Sequence, residues 1–282
     1  MLGTSGNRFN WWATNGATPA ASTYGTTLTA GSTAHTLGST VELLSAAAVT
    51  SDVYGVLICM NGGQFATQAR DFLLNIVTDP AGGTAWGTVI PNLLATSPGT
   101  IGSATSAART VGVWYYFPLF IKAGSSIGGN CQSAAANVLG VAITVFGRPS
   151  RPEMMNVGQY VTAFGANTAT SGGTAASATY AQMGANLTRP HWWWQVGYGC
   201  TDATQTGAML MVDLARGTAT TKDVIFENFI LSSSVDETLG IPTPMRPDYY
   251  CEVPTGQGIY AKLRSSATLD TGTTLVAYGL GG

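Results

Sequence analysis

Phe72-Leu-Leu-Asn-Ile-Val-Thr-Asp79 and Ala208-Met-Leu-Met-Val-Asp-Leu-Ala215 are two short apolar runs in the two halves of the chain. Outward from them the pairing continues. Val89-Ile-Pro-Asn-Leu-Leu-Ala-Thr-Ser97 answers to Val224-Ile-Phe-Glu-Asn-Phe-Ile-Leu-Ser232 with one residue inserted. Phe120-Ile-Lys-Ala-Gly-Ser-Ser126 answers to Tyr260-Ala-Lys-Leu-Arg-Ser-Ser266, and Val141-Ala-Ile143 to Val276-Ala-Tyr278. Four collinear blocks at a spacing of about 135–140 residues are far too long a period for a solenoid and indicate two whole domains of one fold. Superposed halves are expected to align Val89 with Val224 and Lys122 with Lys262.

Each half reads as β. The blocks are short, rich in Val, Ile, Phe, Tyr and Thr, and bounded by Gly, Pro, Asn and Ser. The best helical candidate, Val41 to Val49, is short and followed by Thr-Ser. Many short strands with regular turn signals predict an all-β chain of two tandem β-sandwiches, jelly-roll-like, related by internal duplication. The Cys and Trp spacing of immunoglobulin domains is absent. The predicted divisions are an extended N-terminal arm over 1–35, a first sandwich over 36–147, a Pro-rich linker over 148–156 and a second sandwich over 157–282.

Strand alternation assigns faces. In His191-Trp-Trp-Trp-Gln-Val-Gly-Tyr198 the face of Trp192, Trp194, Val196 and Tyr198 is predicted to be core. Its counterpart is Val53, Gly55, Leu57 and Cys59, with Tyr54, Val56, Ile58 and Met60 opposite. Both faces of that strand are apolar, so its outer face is expected to be covered too.

Charged residues make up only 9% of the 282, with a net charge of −2. The twelve basic residues form no stripe, which argues against nucleic acid as a partner. No apolar run approaches the roughly 18–20 residues of a membrane-spanning helix, and no signal-peptide pattern opens the sequence, so folding in a cytoplasm is expected. Cys59, Cys131, Cys200 and Cys251 form no CxxC pair and read as reduced small hydrophobes. There are two histidines, no G-x-S-x-G elbow, no His/Cys cluster and no phosphate loop. The expectation is no enzyme, no metal and no cofactor.

A surface so poor in charge suits a protein whose neighbours cover it. Five residues are the candidate interface positions: Phe9, Trp11 and Trp12 at the head of the Gly/Thr-rich arm, Tyr54 on the doubly apolar strand, and Trp193 opposite the predicted core face. The Trp pairs and triplets also fit sugar-stacking platforms.

The duplicated blocks, with Phe117-Pro-Leu-Phe-Ile-Lys-Ala-Gly124, Cys251-Glu-Val-Pro254 and the final Tyr278-Gly-Leu-Gly-Gly282, resemble structural proteins of tailed bacteriophages. That resemblance implies a virion component of tail, baseplate, fibre-attachment or capsid-decoration type. It would be assembled in a host cytoplasm as a homo-oligomer together with other virion proteins, and it has no catalytic residues. Two alternatives stand beside it: a double jelly-roll major capsid protein, whose trimers would form pseudo-hexagonal tiles, and a virion protein binding a bacterial surface glycan.

Overall fold

The computed structural model describes residues 9–15, 25–61, 70–97, 113–149, 156–175, 177–200, 209–233, 249–265 and 273–282. Among them there is no helix. The first half holds β1 (Trp12–Thr14), β2 (Thr26–Thr29), β3 (Val41–Leu44), β4 (Gly55–Asn61), β5 (Arg70–Asp79), β6 (Gly87–Ser97), β7 (Val113–Phe117), β8 (Ser126–Ser133) and β9 (Val138–Phe146). The second holds β10 (Tyr160–Phe164), β11 (Thr174–Ala175), β12 (Ala181–Gln182), β13 (His191–Cys200), β14 (Met209–Gly217), β15 (Lys222–Ser233), β16 (Tyr249–Val253), β17 (Gly258–Ser265) and β18 (Thr273–Gly281).

The two sets correspond strand for strand. In the first half one sheet runs β1-β9-β4-β7, with β2 also on β9, and the other runs β3-β8-β5-β6. In the second half the orders are β10-β18-β13-β16, with β11 also on β18, and β12-β17-β14-β15. All pairs are antiparallel. Within each half the chain repeatedly crosses between the two sheets, which is the double Greek key of a jelly roll. The fold is two jelly rolls of identical topology.

Register corrects the residue-level alignment. Asn75 pairs with Asn130, and Asp213 pairs with Lys262. Asn92 and Asn228 both adopt positive φ, 53° and 58°, at a β-bulge. Each donates its main-chain N–H to the side chain in the middle of the neighbouring strand: Asn92 to Asn75 Oδ1 at 2.8 Å, Asn228 to Asp213 Oδ1 at 2.7 Å. These equivalences put Lys262 opposite Asn130. Lys122 lies instead in the turn before β8, so the expected Lys122–Lys262 match fails. Val77 pairs with Thr88 and Ala215 with Val224, so Thr88, one residue before Val89, is the counterpart of Val224. Bulges tolerate an apolar pattern slipped by one residue, which is why the sequence blocks matched out of register.

Faces are corrected as well. Val56, Ile58 and Met60 fill the core of the first roll, whereas Leu57 and Cys59 are half-buried on the outside. Across the sandwich they meet Phe72, Leu74 and Ile76. In the second roll Trp194, Val196 and Tyr198 face the core, as expected, with Val212, Leu214 and Leu263 opposite; Trp192, expected with them, is only half-buried and packs against the first cluster.

The arm and linker positions are partly described. β1 and β2, within 1–35, lie along one edge of β9 in the first roll. Asn15 ties them together, donating to Val141 O at 2.8 Å and accepting from Ile143 N at 3.2 Å. Residues 1–8 and 16–24, and 150–155 of the expected linker, lie outside the described residues.

Candidate functional site

Three features of the molecule bear on function: the seam between the rolls, the outer face of the first roll, and the far edge of the second.

The seam is built from the face of β13 and β18 that turns away from the second core. Trp193, Val276, Tyr278 and Leu280 are all 0% exposed and belong to the same apolar cluster as the core of the first roll. The rings of Trp193 and Tyr278 lie 5.4 and 6.1 Å from Phe117 of β7. Tyr278 also stands edge-on to Tyr115 at 5.3 Å. The second roll therefore completes the hydrophobic core of the first on the side between β6 and β7.

Here Tyr278 does what a missing strand would do. β6 ends its sheet, and an edge strand needs partners for its main-chain groups. Tyr278 Oη donates to Asn92 O at 2.9 Å and accepts from Leu94 N at 2.7 Å. Tyr115 Oη donates to Leu94 O at 2.6 Å. Gly197 makes the room: a Cβ there would sit 2.7 Å from Tyr115 Oη and 2.9 Å from Tyr278 Oη. Polar latches flank the apolar seam. His35 Nδ1 lies 2.8 Å from Ser171 Oγ, and Gln132 Nε2 donates to Thr168 O at 2.7 Å.

Trp193 was expected to meet another subunit or a sugar. The structure corrects this, since its ring is fully enclosed between the two rolls of one chain. Trp194 is equally buried, with Nε1 donating to Cys251 O at 2.9 Å. Of the Trp triplet only Trp192 keeps exposure, stacked 6.3 Å from the largely exposed Tyr250.

The other candidates gather on or near the outer face of the first roll. Trp12, on β1, is 63% exposed. Phe9 stacks on Phe146 with ring centroids 4.7 Å apart. Trp11 turns inward and packs against the first core. Tyr54 meets Phe120 edge-on at 5.7 Å at the end of the sandwich. Trp114, 54% exposed, belongs with these and sequence reasoning missed it; its signal was Val113-Trp-Tyr-Tyr-Phe117, apolar on both faces. A further uncovered apolar region among the described residues is the edge of the second roll, where Val224 and Ile230 are 49% and 50% exposed.

The titratable groups are engaged in structure. Burial acts to raise the Asp213 carboxyl, but the Lys262 ammonium at 2.8 Å, the Asn228 N–H and the Arg264 guanidinium together hold it below the usual carboxylate range. In the first roll the same place is held by neutral groups, Asn75 donating to Asn130 and Asn130 to Thr40. Burial lowers His191. Its Nδ1 donates to Arg189 O and its neutral Nε2 accepts from the Thr162 hydroxyl, both at 2.9 Å. Burial pushes the free thiols of Cys59 and Cys131 up to about 11 and about 12, leaving them protonated and unreactive. Among the described residues no three His, Cys, Asp or Glu groups are placed to hold a metal.

No protein-family model and no curated protein matches the chain. Among solved structures it is similar to the STIV MCP, with a TM-score of 0.38 and 9% identity over 96% of each chain. It is similar to a chain from the atomic structure of Sulfolobus Turreted Icosahedral Virus, with a TM-score of 0.39 and 11% identity over 90% of this chain and 87% of that one. It is also similar to PNGase F, a glycosylasparaginase from Flavobacterium meningosepticum, with a TM-score of 0.37 and 10% identity over 98% and 95%. Likenesses of this strength, reaching a virus protein and a glycosylasparaginase alike, do not choose between those functions.

Proposed function

We propose that the chain is a non-enzymatic structural subunit of a virus particle, acting through protein–protein assembly contacts. The observation that carries this reading is where the large apolar side chains are left. Charge is scarce, yet Trp12, Trp114, Val224 and Ile230 stand half exposed or more on two separate surfaces. Uncovered hydrophobic area of this kind marks an interaction surface. The two rolls share one apolar cluster across their seam. Jelly rolls are a common capsid architecture, which raises the prior by analogy only. Tandem rolls of comparable size favour a shell subunit over a tail or decoration role; the tail, baseplate and decoration readings rest on the sequence resemblance. For a glycan Trp193 and Trp194 have no surface to offer; of the triplet only Trp192, beside Tyr250, does.

A cryo-EM map of the intact particle tests the reading. The chain is expected in many copies within the shell. A particle that lacks it, or a purified chain that turns over a surface glycan through an Asp/Glu pair, would overturn it.

A further inference from the structure

The internal repeat identifies what covers the exposed edge of the second roll. Matching cores sets the rolls in register: Ile58 pairs with Ile143 as Val196 pairs with Ala277, and Met60 with Val141 as Tyr198 with Leu275. Leu57 then stands where Gln195 does, and Phe146 where Leu280 does. Gln195 and Leu280 lie in the seam, 2% and 0% exposed. Leu57 and Phe146 are half-buried, and Trp12 and Trp114 beside them are exposed. The receiving side shows the same contrast. Leu94 pairs with Leu73 as Ile230 pairs with Met211, yet Leu94 is 0% exposed and Ile230 is 50% exposed.

Within the chain, then, the outer face of one sheet of the second roll covers the β6 side of the first. The chain carries one more face of that kind, on β1-β9-β4-β7, and one more side of the receiving kind, at β15. The first roll cannot fold round to its own chain's β15, because its β6 side is already fixed against the second roll. We infer that a second copy of the chain supplies the cover: its first-roll outer face, centred on Leu57, Trp114 and Phe146, docks on the β15 side of the second roll. The contact is heterologous, a different patch from each partner; it is placed like the junction that joins the rolls within one chain, with Gly55 and Thr144 standing where Trp193 and Tyr278 do. Ile230, the counterpart of the buried Leu94, is its anchor on the receiving side.

The inference rests on the assembly reading above, and the experiment separates the two. Ile230→Glu spoils the receiving side and Trp114→Glu the outer face. By sedimentation velocity over a concentration series the unaltered chain is expected to self-associate. Each variant alone should do so about thirtyfold or more weakly, as for loss of an interface anchor. An equimolar mixture has one intact face and one intact receiving side to join, so it should form a discrete 1:1 heterodimer and stop there. Ile230→Lys with Trp12→Ser supplies a second pair should either first variant fail to match the parent in far-ultraviolet circular dichroism. A monomeric parent, a single variant that assembles normally, or a folded mixture that stays monomeric would overturn the inference. If particles contain the chain but the mixture fails, the docking surface is wrong and the assembly reading stands. If the mixture dimerises but no particle contains the chain, the reverse holds.

Discussion

Replacing Tyr278 by Phe deletes one oxygen and nothing else from the seam. That oxygen serves both Asn92 O and Leu94 N, in a place no water reaches. A hydrogen bond contributes about 1 kcal/mol net, and a buried main-chain group stranded without a partner costs about 1–3 kcal/mol. Two edge groups stranded give an expected destabilisation of about 2–6 kcal/mol by the same reckoning. Tyr115→Phe removes one bond, to Leu94 O, and is expected to cost about 1–2 kcal/mol. Both hydroxyls act on the Leu94 residue, so the double variant should depart from additivity. Guanidinium unfolding followed by tryptophan fluorescence measures all three. Hydrogen exchange adds a local readout, since the Leu94 amide should lose protection in Tyr278→Phe and keep it in Tyr115→Phe. A Tyr278→Phe variant within about 0.5 kcal/mol of the parent, the range of ordinary surface changes, with Leu94 still protected, would show that the tyrosine does not replace a strand.

Gly197→Ala should cost about 1–3 kcal/mol as an overpacked site, and adding Tyr115→Phe should restore part of it; thermal melts that show no recovery would refute the steric account. Asp213→Asn keeps the acceptor that Asn75 provides in the first roll and is expected to cost about 1–2 kcal/mol at neutral pH. Because the folded carboxyl lies below its usual range, its contribution is present above the ordinary carboxylate pKa and is lost as pH falls toward the folded value. The parent should therefore lose more stability than Asp213→Asn on acidification, and parallel pH–stability curves would count against the pairing with Lys262 and Arg264. His191 is held neutral by burial, so the unfolded chain takes up its proton near pH 6.5 while the folded chain does not. Stability should decline as pH drops below that point, and His191→Phe should flatten the decline; an unchanged slope would refute it.

The repeat was legible because short apolar blocks recur in the same order in both halves, although their residue-level alignment was not. The fold class followed from that and from the turn residues between the blocks. Register was not legible where both faces of a strand are apolar. Gly55-Val-Leu-Ile-Cys-Met60 offers no polar residue to say which side is in, and the sequence reading chose the wrong one. Val276, Tyr278 and Leu280 alternate as cleanly as Val141, Ile143 and Val145. The first set nevertheless faces the neighbouring roll and the second its own core. Alternation reports that a face is buried, not what buries it. Trp193 fell to the same ambiguity. The bulges at Asn92 and Asn228 were invisible as bulges, though the Asn in each block marked the place.

The position of Tyr278 has a consequence for biosynthesis. Translation delivers β6 and β7 long before β18, so an emerging first roll has its sheets but not the side chains that close them. Residues from β13 and β18 complete it, and both strands follow every strand of the first roll in the chain. Domains usually fold as they leave the ribosome, N-terminal first; here the first roll is closed only by strands of the second. A chain cut short before β18 would keep an open, sticky flank and be easily seized by chaperones and proteases. The core of the first roll is thus closed only in a polypeptide that extends through Tyr278.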